Sequence, residues 1–340
     1  MLKFAELDPK EFEAFAYSAH GHNFLQSSDF AAVRAERGAA PKFYAVKKGD
    51  KIILAGLCGL YGNSIDCLYG PVGEVTPEVI RAWTDGLRAE ATRLNKIFIS
   101  LDPFFPSSAT SDWQSAGWQK LRRGKEGRIA AIAARPLPAS YDEFLSSLDR
   151  KMRYEVRRSA KNGLVLRDLA YDELSILEEI LQASADRQHF SAADLKYLQA
   201  FYRAFEHSRG YNVRFVVVEA PVASSGAVKA APTDDLAVGA SPAITGGIFV
   251  FSKLETVHFL GGNTERSLEL GGMYFLLDAM IRDTIHQKIP RFNFFGVAGK
   301  DDPKITFKRK WGGEVEECMG VWVLPVNKPK FFAWKLKQLL

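Results

Sequence analysis

The chain has 340 residues, 47% of them apolar and 25% charged, which are the proportions of a globular protein with room for two domains of ordinary size. This composition excludes a disordered chain, and no uncharged apolar run is long enough to span a bilayer. The net charge of +5 is compatible with an anionic partner but does not by itself name one.

The opening MLKFAELDPKEFEAF is interrupted by acids and Pro9 before a signal-peptide core could form, so the expected location is the cytoplasm. Cys58, Cys67 and Cys318 are odd in number and scattered, and they read as buried reduced thiols. Residues 9–19 and 27–37 read as short helices, the second capped by Ser27 or Ser28. Residues 43–48 and 51–60 read as strands joined by a Gly49-Asp50 hairpin turn. A strand over 66–69 runs into Gly70-Pro71-Val72-Gly73. Thr76-Pro77 then starts a helix whose apolar positions are Val79, Ile80, Trp83, Leu87 and Leu94. Ile97–Leu101 is a buried strand ending at Asp102-Pro103.

Residues 141–163 read as one helix with a basic C-terminal half, stopped by Asn162-Gly163. Two more helices are expected near 172–187 and 193–209. The second half then repeats the plan of the first: strands over 213–219, 244–251 and 256–260, a long amphipathic helix over about 270–287, and a closing strand over 292–297. Residues 220–241, rich in Ala, Ser, Pro and Gly, read as a flexible excursion between two strands.

A strand hairpin, a third strand, a turn, a helix and another strand resemble the core of the acyl-CoA N-acyltransferase (GNAT) fold. In that fold the turn before the helix holds the CoA pyrophosphate on backbone N–H groups. Neither turn here carries the pattern. The first has Pro71, which lacks a donor. In the second, Leu268 stands where Arg or Gln belongs, and Met273 where Gly or Ala belongs. The expected fold class is therefore α/β (α+β): two tandem GNAT-like domains with mixed sheets and no cofactor. The first domain is placed at 1–139, completed by 320–340, and the second at 140–319.

A further series of segments resembles the Fem family, the peptidoglycan-bridge aminoacyltransferases. Phe24-Leu25-Gln26-Ser27-Ser28-Asp29-Phe30 is similar to that family's "FLQS" lead-in to a helix. Lys151–Gly163 is similar to its basic helix, and Phe292-Asn293-Phe294-Phe295-Gly296-Val297 to its Tyr-Asp-x-x-Gly strand. Phe307-Lys308-Arg309-Lys310-Trp311-Gly312-Gly313-Glu314, followed by Met319–Pro325, is similar to a sequence near its end. Some members of that family carry a coiled-coil arm at the place of residues 220–241. That segment is too short and too poor in heptads for one, so this chain reads as an armless member.

The resemblance implies transfer of an amino acid from aminoacyl-tRNA to an amine on a UDP- or lipid-linked muropeptide. A tRNA ester is already activated, so the enzyme need only position the amine and stabilise the tetrahedral oxyanion. It implies Lys308 as the cation for that oxyanion, with Phe307 packed beside it; the alternative for this stretch is a solvated basic strand. Asp102 would accept a proton or orient the amine, or would merely end a strand. Arg34, Tyr197, Arg187 and His258 fall where that family holds the precursor, although Ala193, His258 and Leu260 depart from the usual residues there. A cleft between the two halves, lined by Arg34, Asp102, Tyr197 and Lys308, is the expected active site.

Arg150, Arg153, Arg157 and Lys161 share one helix face at spacings of three or four, and they could hold an RNA acceptor stem or simply face solvent. The C-terminal 328–340 segment mixes bases with aromatics, and either docks on the core or touches the inner membrane surface peripherally. No metal site is expected, and the chain reads as a monomer. Two other functions fit the same scaffold: an N-acyltransferase using acyl-CoA or another carrier, and a non-catalytic binding protein.

Overall fold

The computed structural model describes residues 1–106, 108, 110–121, 131–221, 243–297 and 303–339. Nearly all of the 220–241 excursion, and with it the reading that no arm is inserted there, lies outside the described residues. The elements run β1 (Leu2–Leu7), α1 (Pro9–Ala16), α2 (Ser28–Glu36), β2 (Ala40–Lys48), β3 (Lys51–Leu60), β4 (Ser64–Cys67), β5 (Val72–Gly73), α3 (Pro77–Arg93), β6 (Phe98–Leu101), α4 (Thr110–Ser115) and β7 (Gln119–Lys120). They continue with β8 (Ala131–Pro136), α5 (Tyr141–Ser147), α6 (Arg150–Ala160), β9 (Val165–Asp168), α7 (Leu174–Gln188), α8 (Leu195–Phe205), β10 (Asn212–Glu219), β11 (Ala243–Phe251) and β12 (Thr256–Asn263). The last are α9 (Glu265–Leu270), α10 (Gly272–His286), β13 (Arg291–Val297), α11 (Pro303–Lys310), β14 (Glu314–Glu317), β15 (Trp322–Pro325) and α12 (Lys328–Leu339).

The chain divides into two compact units. The first comprises residues 1–132, 296–302 and 315–340, and the second 133–295 and 303–314. Each has a mixed sheet. The first sheet has the order β1-β2-β3-β4-β6-β15-β7, with β5 on β3; β4 and β6 are parallel, the other registered pairs antiparallel. The second has the order β14-β8-β13-β12-β11-β10-β9, with β12 and β13 parallel and β9 to β12 an antiparallel meander.

Local chemistry explains these elements. Thr76 caps α3 through its hydroxyl, which accepts from Val79 N–H, and Pro77 needs no donor at the first position. Val79, Ile80, Trp83, Leu87 and Ala91 then bury one stripe of α3 against Ile65, Cys67, Ile99, Leu101 and Trp322 of the sheet. In the second unit, Leu276, Leu277, Met280 and Ile281 of α10 pack on Val216, Val218, Phe249 and Phe292. Cys58, Cys67 and Cys318 are buried free thiols.

Two expectations change, and of the two readings of the C-terminal segment the structure has docking on the core. Residues 141–163 form two helices, because Leu148 is extended and Asp149 caps a new start, its Oδ1 accepting from Met152 N–H at 2.7 Å. The basic stretch around Lys308 is a helix and not a strand: Pro303 heads it, and Ile305 and Trp311 anchor its inner side at 1% and 0% exposure. The C-terminal helix docks on the first unit's sheet through Phe331, which packs with Phe98 and Val323, while Phe332 and Leu336 stay exposed.

Candidate active site

In the second unit, β12 and β13 run parallel but are joined at only two register positions, Thr256 with Phe292 and Val257 with Asn293. The next residues on each strand, His258–Leu260 and Phe294–Phe295, are not paired with one another among the described residues. Both strands are irregular there: β12 bulges at Phe259, which is skipped between the pairs His258–Phe249 and Leu260–Ile248, and β13 turns at Phe295. Phe295 has φ 59°, a left-handed conformation that costs a residue with a Cβ about 1–2 kcal/mol. Asn293, 2% exposed, stabilises it: its Oδ1 accepts the Phe295 N–H at 2.8 Å. The other end of that amide donates to Glu255 Oε2 at 3.1 Å, and Arg291 Nε lies 3.6 Å from the same oxygen.

Lys308 reaches this turn from α11, its Nζ donating to the Phe295 carbonyl at 2.9 Å. The helix that carries it ends in a Schellman motif. Gly313 N–H returns to the Lys308 carbonyl at 3.0 Å and Gly312 N–H to that of Arg309 at 2.8 Å, with Gly312 at φ 79°. Arg135 Nη1 donates to the Trp311 carbonyl at 2.9 Å, adding a cation at the helix C-terminus. Phe307 packs edge-on against Tyr274 at 5.5 Å, and burial raises the Tyr274 phenol's pKa. The position of Lys308 is therefore fixed from both sides, by a capped helix and by a strained carbonyl.

His258 stacks on Phe249, centroids 4.7 Å apart and planes within 9°. Its Nε2 is shut off from solvent and has no hydrogen-bond partner. Glycines make its space: a Cβ on Gly261 would stand 2.3 Å from Nε2, and one on Gly247 3.4 Å away. Burial first, and the nearby Lys308 charge second, push its pKa down to about 3, against a backbone hydrogen bond at Leu260 that raises it. The imidazole is therefore neutral at physiological pH. Tyr197 connects to the same region through aromatic contacts: with Phe201 at 6.1 Å, Phe201 with Phe259 at 5.3 Å, and Phe259 with Phe295 at 5.3 Å. Arg187 sits half-buried in the last turn of α7, and beyond it Phe190 receives Lys304 over its ring at 4.7 Å.

The expected residues of the first unit have a different character. Arg34 is 3% exposed and is not a surface cation open to phosphate. Its Nη2 lies 3.4 Å from Asp66 Oδ2 and 3.0 Å from the Asp66 carbonyl, the guanidinium sits over Tyr61, and Nε and Nη1 have no partner. Asp66 also accepts from Ser100 at 2.7 Å, and both line a cavity of about 440 Å³ with Tyr61, Ser64, Phe98 and Trp334. Asp102 is 2% exposed, and its Oδ1 accepts the Tyr69 N–H at 2.6 Å. Tyr69 is itself left-handed at φ 55°. Asp102 thus holds a backbone corner. The Gln26 of the FLQS segment does similar work, bonding Leu57 N–H at 2.7 Å and the Leu68 carbonyl at 2.7 Å.

On α6, Arg150, Lys151, Arg157 and Lys161 are exposed, but Arg153 leaves the expected face. It turns back to donate to the carbonyls of Leu148 and, at 3.3 Å, Ser146, which close α5. Tyr154, 62% exposed, stands in its place between Arg150 and Arg157. Arg158 is held by Glu155 at 2.9 Å. Asn293 and Tyr154 are the residues that sequence reading missed. Asn followed two positions later by a turn out of a strand is a legible signal, and so is Trp-Gly-Gly as a helix stop.

Beside the start of α10, a Cβ on Gly272 would meet Thr245 Oγ1 at 2.3 Å and Ser267 Oγ at 2.6 Å, so glycine lets the helix start pack closely on β11 and α9. Among the described residues no group of three or more His, Cys, Asp or Glu is placed to hold a metal ion, and no helix is long and apolar enough to cross a membrane.

The crystal structure of FemX superposes with a TM-score of 0.78 at 14% identity, covering 97% of this chain and 99% of that one. A tandem GNAT protein from the clavulanic acid biosynthesis pathway gives 0.59 at 12% identity, covering 96% and 99%. By sequence, the aminoacyltransferase FemA of Staphylococcus epidermidis is 21% identical over 99% of this chain and 100% of its own. The two mixed sheets, each with a meander, a helix and a parallel strand, define a tandem GNAT-like fold, and the protein's class is that of the acyltransferases. Residues 136–224 and 233–338 match the FemAB family, and the chain belongs to that family.

Proposed function

We propose that this protein is a cytoplasmic, monomeric aminoacyltransferase that moves an amino acid from aminoacyl-tRNA to an amine of a peptidoglycan precursor. The observation that carries the reading is Lys308, an ammonium anchored at the parting of β12 and β13 beside a neutral, half-buried His258. The acceptor amine attacks the ester carbonyl, a C–N bond forms, and the C–O bond to the tRNA ribose breaks. The proton lost by the amine goes to the leaving ribose oxygen, directly or through solvent. Lys308 donates to the oxyanion of the tetrahedral intermediate, and Phe307 shields that contact from water. His258 is assigned to the wall of the acceptor site beside Lys308: its ring stays uncharged, and its Nε2 is closed off in a glycine-lined notch. Tyr197 and Arg187 are assigned to the acceptor as well. Asp102 serves by fixing the Tyr69 corner, and Arg34 by supporting the Asp66 wall of the first unit's cavity.

Donor binding is assigned to α6. Arg150, Arg157 and Lys161 offer phosphate contacts, and Tyr154 a stacking face, on an exposed stripe. Arg153 is assigned instead to the α5–α6 joint. Exposed Phe332 and Leu336 among Lys328, Lys330 and Lys335 on α12 suit peripheral contact with an anionic membrane, where a lipid-linked muropeptide would lie. The test is transfer of labelled amino acids from a panel of charged tRNAs to UDP-linked and lipid-linked muropeptides. Transfer from one donor is expected. No transfer across the panel by folded protein overturns the reading.

A further inference from the structure

We infer that Asn293 is a positioning residue: by holding Phe295 left-handed, it aims the Phe295 carbonyl at Lys308 and so fixes where the ammonium stands. The inference rests on the role given to Lys308 above.

The geometry is specific. Both ends of the Asn293 amide are engaged, Oδ1 by the Phe295 N–H at 2.8 Å and Nδ2 by Glu255 Oε2 at 3.1 Å, so the amide cannot turn over without losing both bonds. The strained conformation falls on a phenylalanine although Gly296 follows immediately and would adopt it at no steric cost. Placing it at 295 serves two things, of which glycine could supply only the second. The ring, 7% exposed, stays edge-on to Phe259 at 5.3 Å, and the carbonyl stays 2.9 Å from Lys308 Nζ. Backbone strain maintained by a dedicated buried side chain, next to a cation aimed into the parting of two strands, is how a reactive group is pre-organised.

A side chain at 293 that fills the same space but accepts nothing should release this arrangement. Val and Thr have the same shape and both suit a strand, but only the Thr hydroxyl can accept the N–H two residues on. Asn293→Val is expected to lower kcat about 10- to 100-fold, the scale for a group misplaced by about an ångström. KM for both substrates is expected to stay within about twofold, because the loss falls on the reacting geometry. Asn293→Thr is expected to recover most of kcat.

An independent readout is the NMR signal of ¹³C-methylated Lys308, assigned by its disappearance in Lys308→Arg. It is expected to move in Asn293→Val and to keep its place in Asn293→Thr. Glu255→Ala, which frees the Nδ2 end of the amide and also releases Arg291, is expected to move it by less, and this variant decides the matter if Asn293→Val does not fold. An unmoved Lys308 signal in folded Asn293→Val, or in Glu255→Ala where Asn293→Val does not fold, overturns the inference. Full transfer by Lys308→Ala overturns instead the role of Lys308, and the two failures are told apart because the signal is read without turnover.

Discussion

The two units contain the same arrangement, a parallel strand pair closing an antiparallel meander, and they finish it in opposite ways. In the first, β4 and β6 stay registered through four positions, Ser64–Cys67 with Phe98–Leu101. The end of that pair is clamped across the strands, because Asp102, just past β6, holds the N–H of left-handed Tyr69, just past β4. In the second, β12 and β13 hold for two positions only. There the left-handed residue lies within β13 itself and is held by Asn293 of the same strand. The polar side chain that holds the left-handed residue bridges two strands in the first unit and acts within one strand in the second, beside the β12 bulge at Phe259. The difference separates a unit whose buried polar groups serve the fold from one that aims a cation at an opening.

The largest effect is expected at Arg34. Asp66→Asn leaves the buried guanidinium without its counter-charge, and equilibrium unfolding is expected to show a loss of about 3–5 kcal/mol. A loss near zero would mean that Arg34 is solvated and free for a ligand. Asp102→Ala removes a buried acceptor and is expected to cost about 1–3 kcal/mol, while Asp102→Asn, which can still accept the Tyr69 N–H, should cost less. Equal losses would mean that Asp102 does not clamp the strand ends through the Tyr69 N–H.

His258 gives a pH test within the second unit. The unfolded imidazole titrates near 6.5 and the folded one near 3, so between these values the unfolded chain binds a proton that the folded chain does not. Stability should fall as pH is lowered through that window, and His258→Gln should flatten the fall in chemical denaturation curves. The smallest expected effect concerns α6. Arg157→Ala should reduce the slope of log K against log salt for tRNA binding by about 0.7–0.9, one phosphate contact, whereas Arg153→Ala should leave the slope and disturb the α5–α6 joint.

Much of the fold was legible in the chain, because its signals are local. Thr76-Pro77 starts α3, Gly49 turns the first hairpin at φ 60°, and apolar spacing gives the buried stripes of α3 and α10. The break at Leu148-Asp149 was hidden because Asp suits both a cap and an exposed helix position, and only the burial of Leu148 at 3% decides between them. The stretch around Lys308 reads as strand or helix until Trp311-Gly312-Gly313 is recognised as a C-terminal stop. For the candidate site, residue types were legible but their roles were not. Arg34 looks like an open cation until Asp66, thirty-two positions away, is seen to neutralise it. Lys308 and Phe295 are thirteen positions apart, and only the left-handed turn at Phe295 brings its carbonyl to the ammonium.

The chemistry proposed for this FemAB-family protein rests on the Lys308 ammonium of the second unit. The most direct measurement is transfer from charged tRNA by Lys308→Ala, compared with wild type at matched folded fraction. A fall in kcat of about 10²–10³ is expected, the scale for loss of one oxyanion donor, with the unfolding midpoint nearly unchanged. Transfer by Lys308→Ala at the wild-type rate would contradict it.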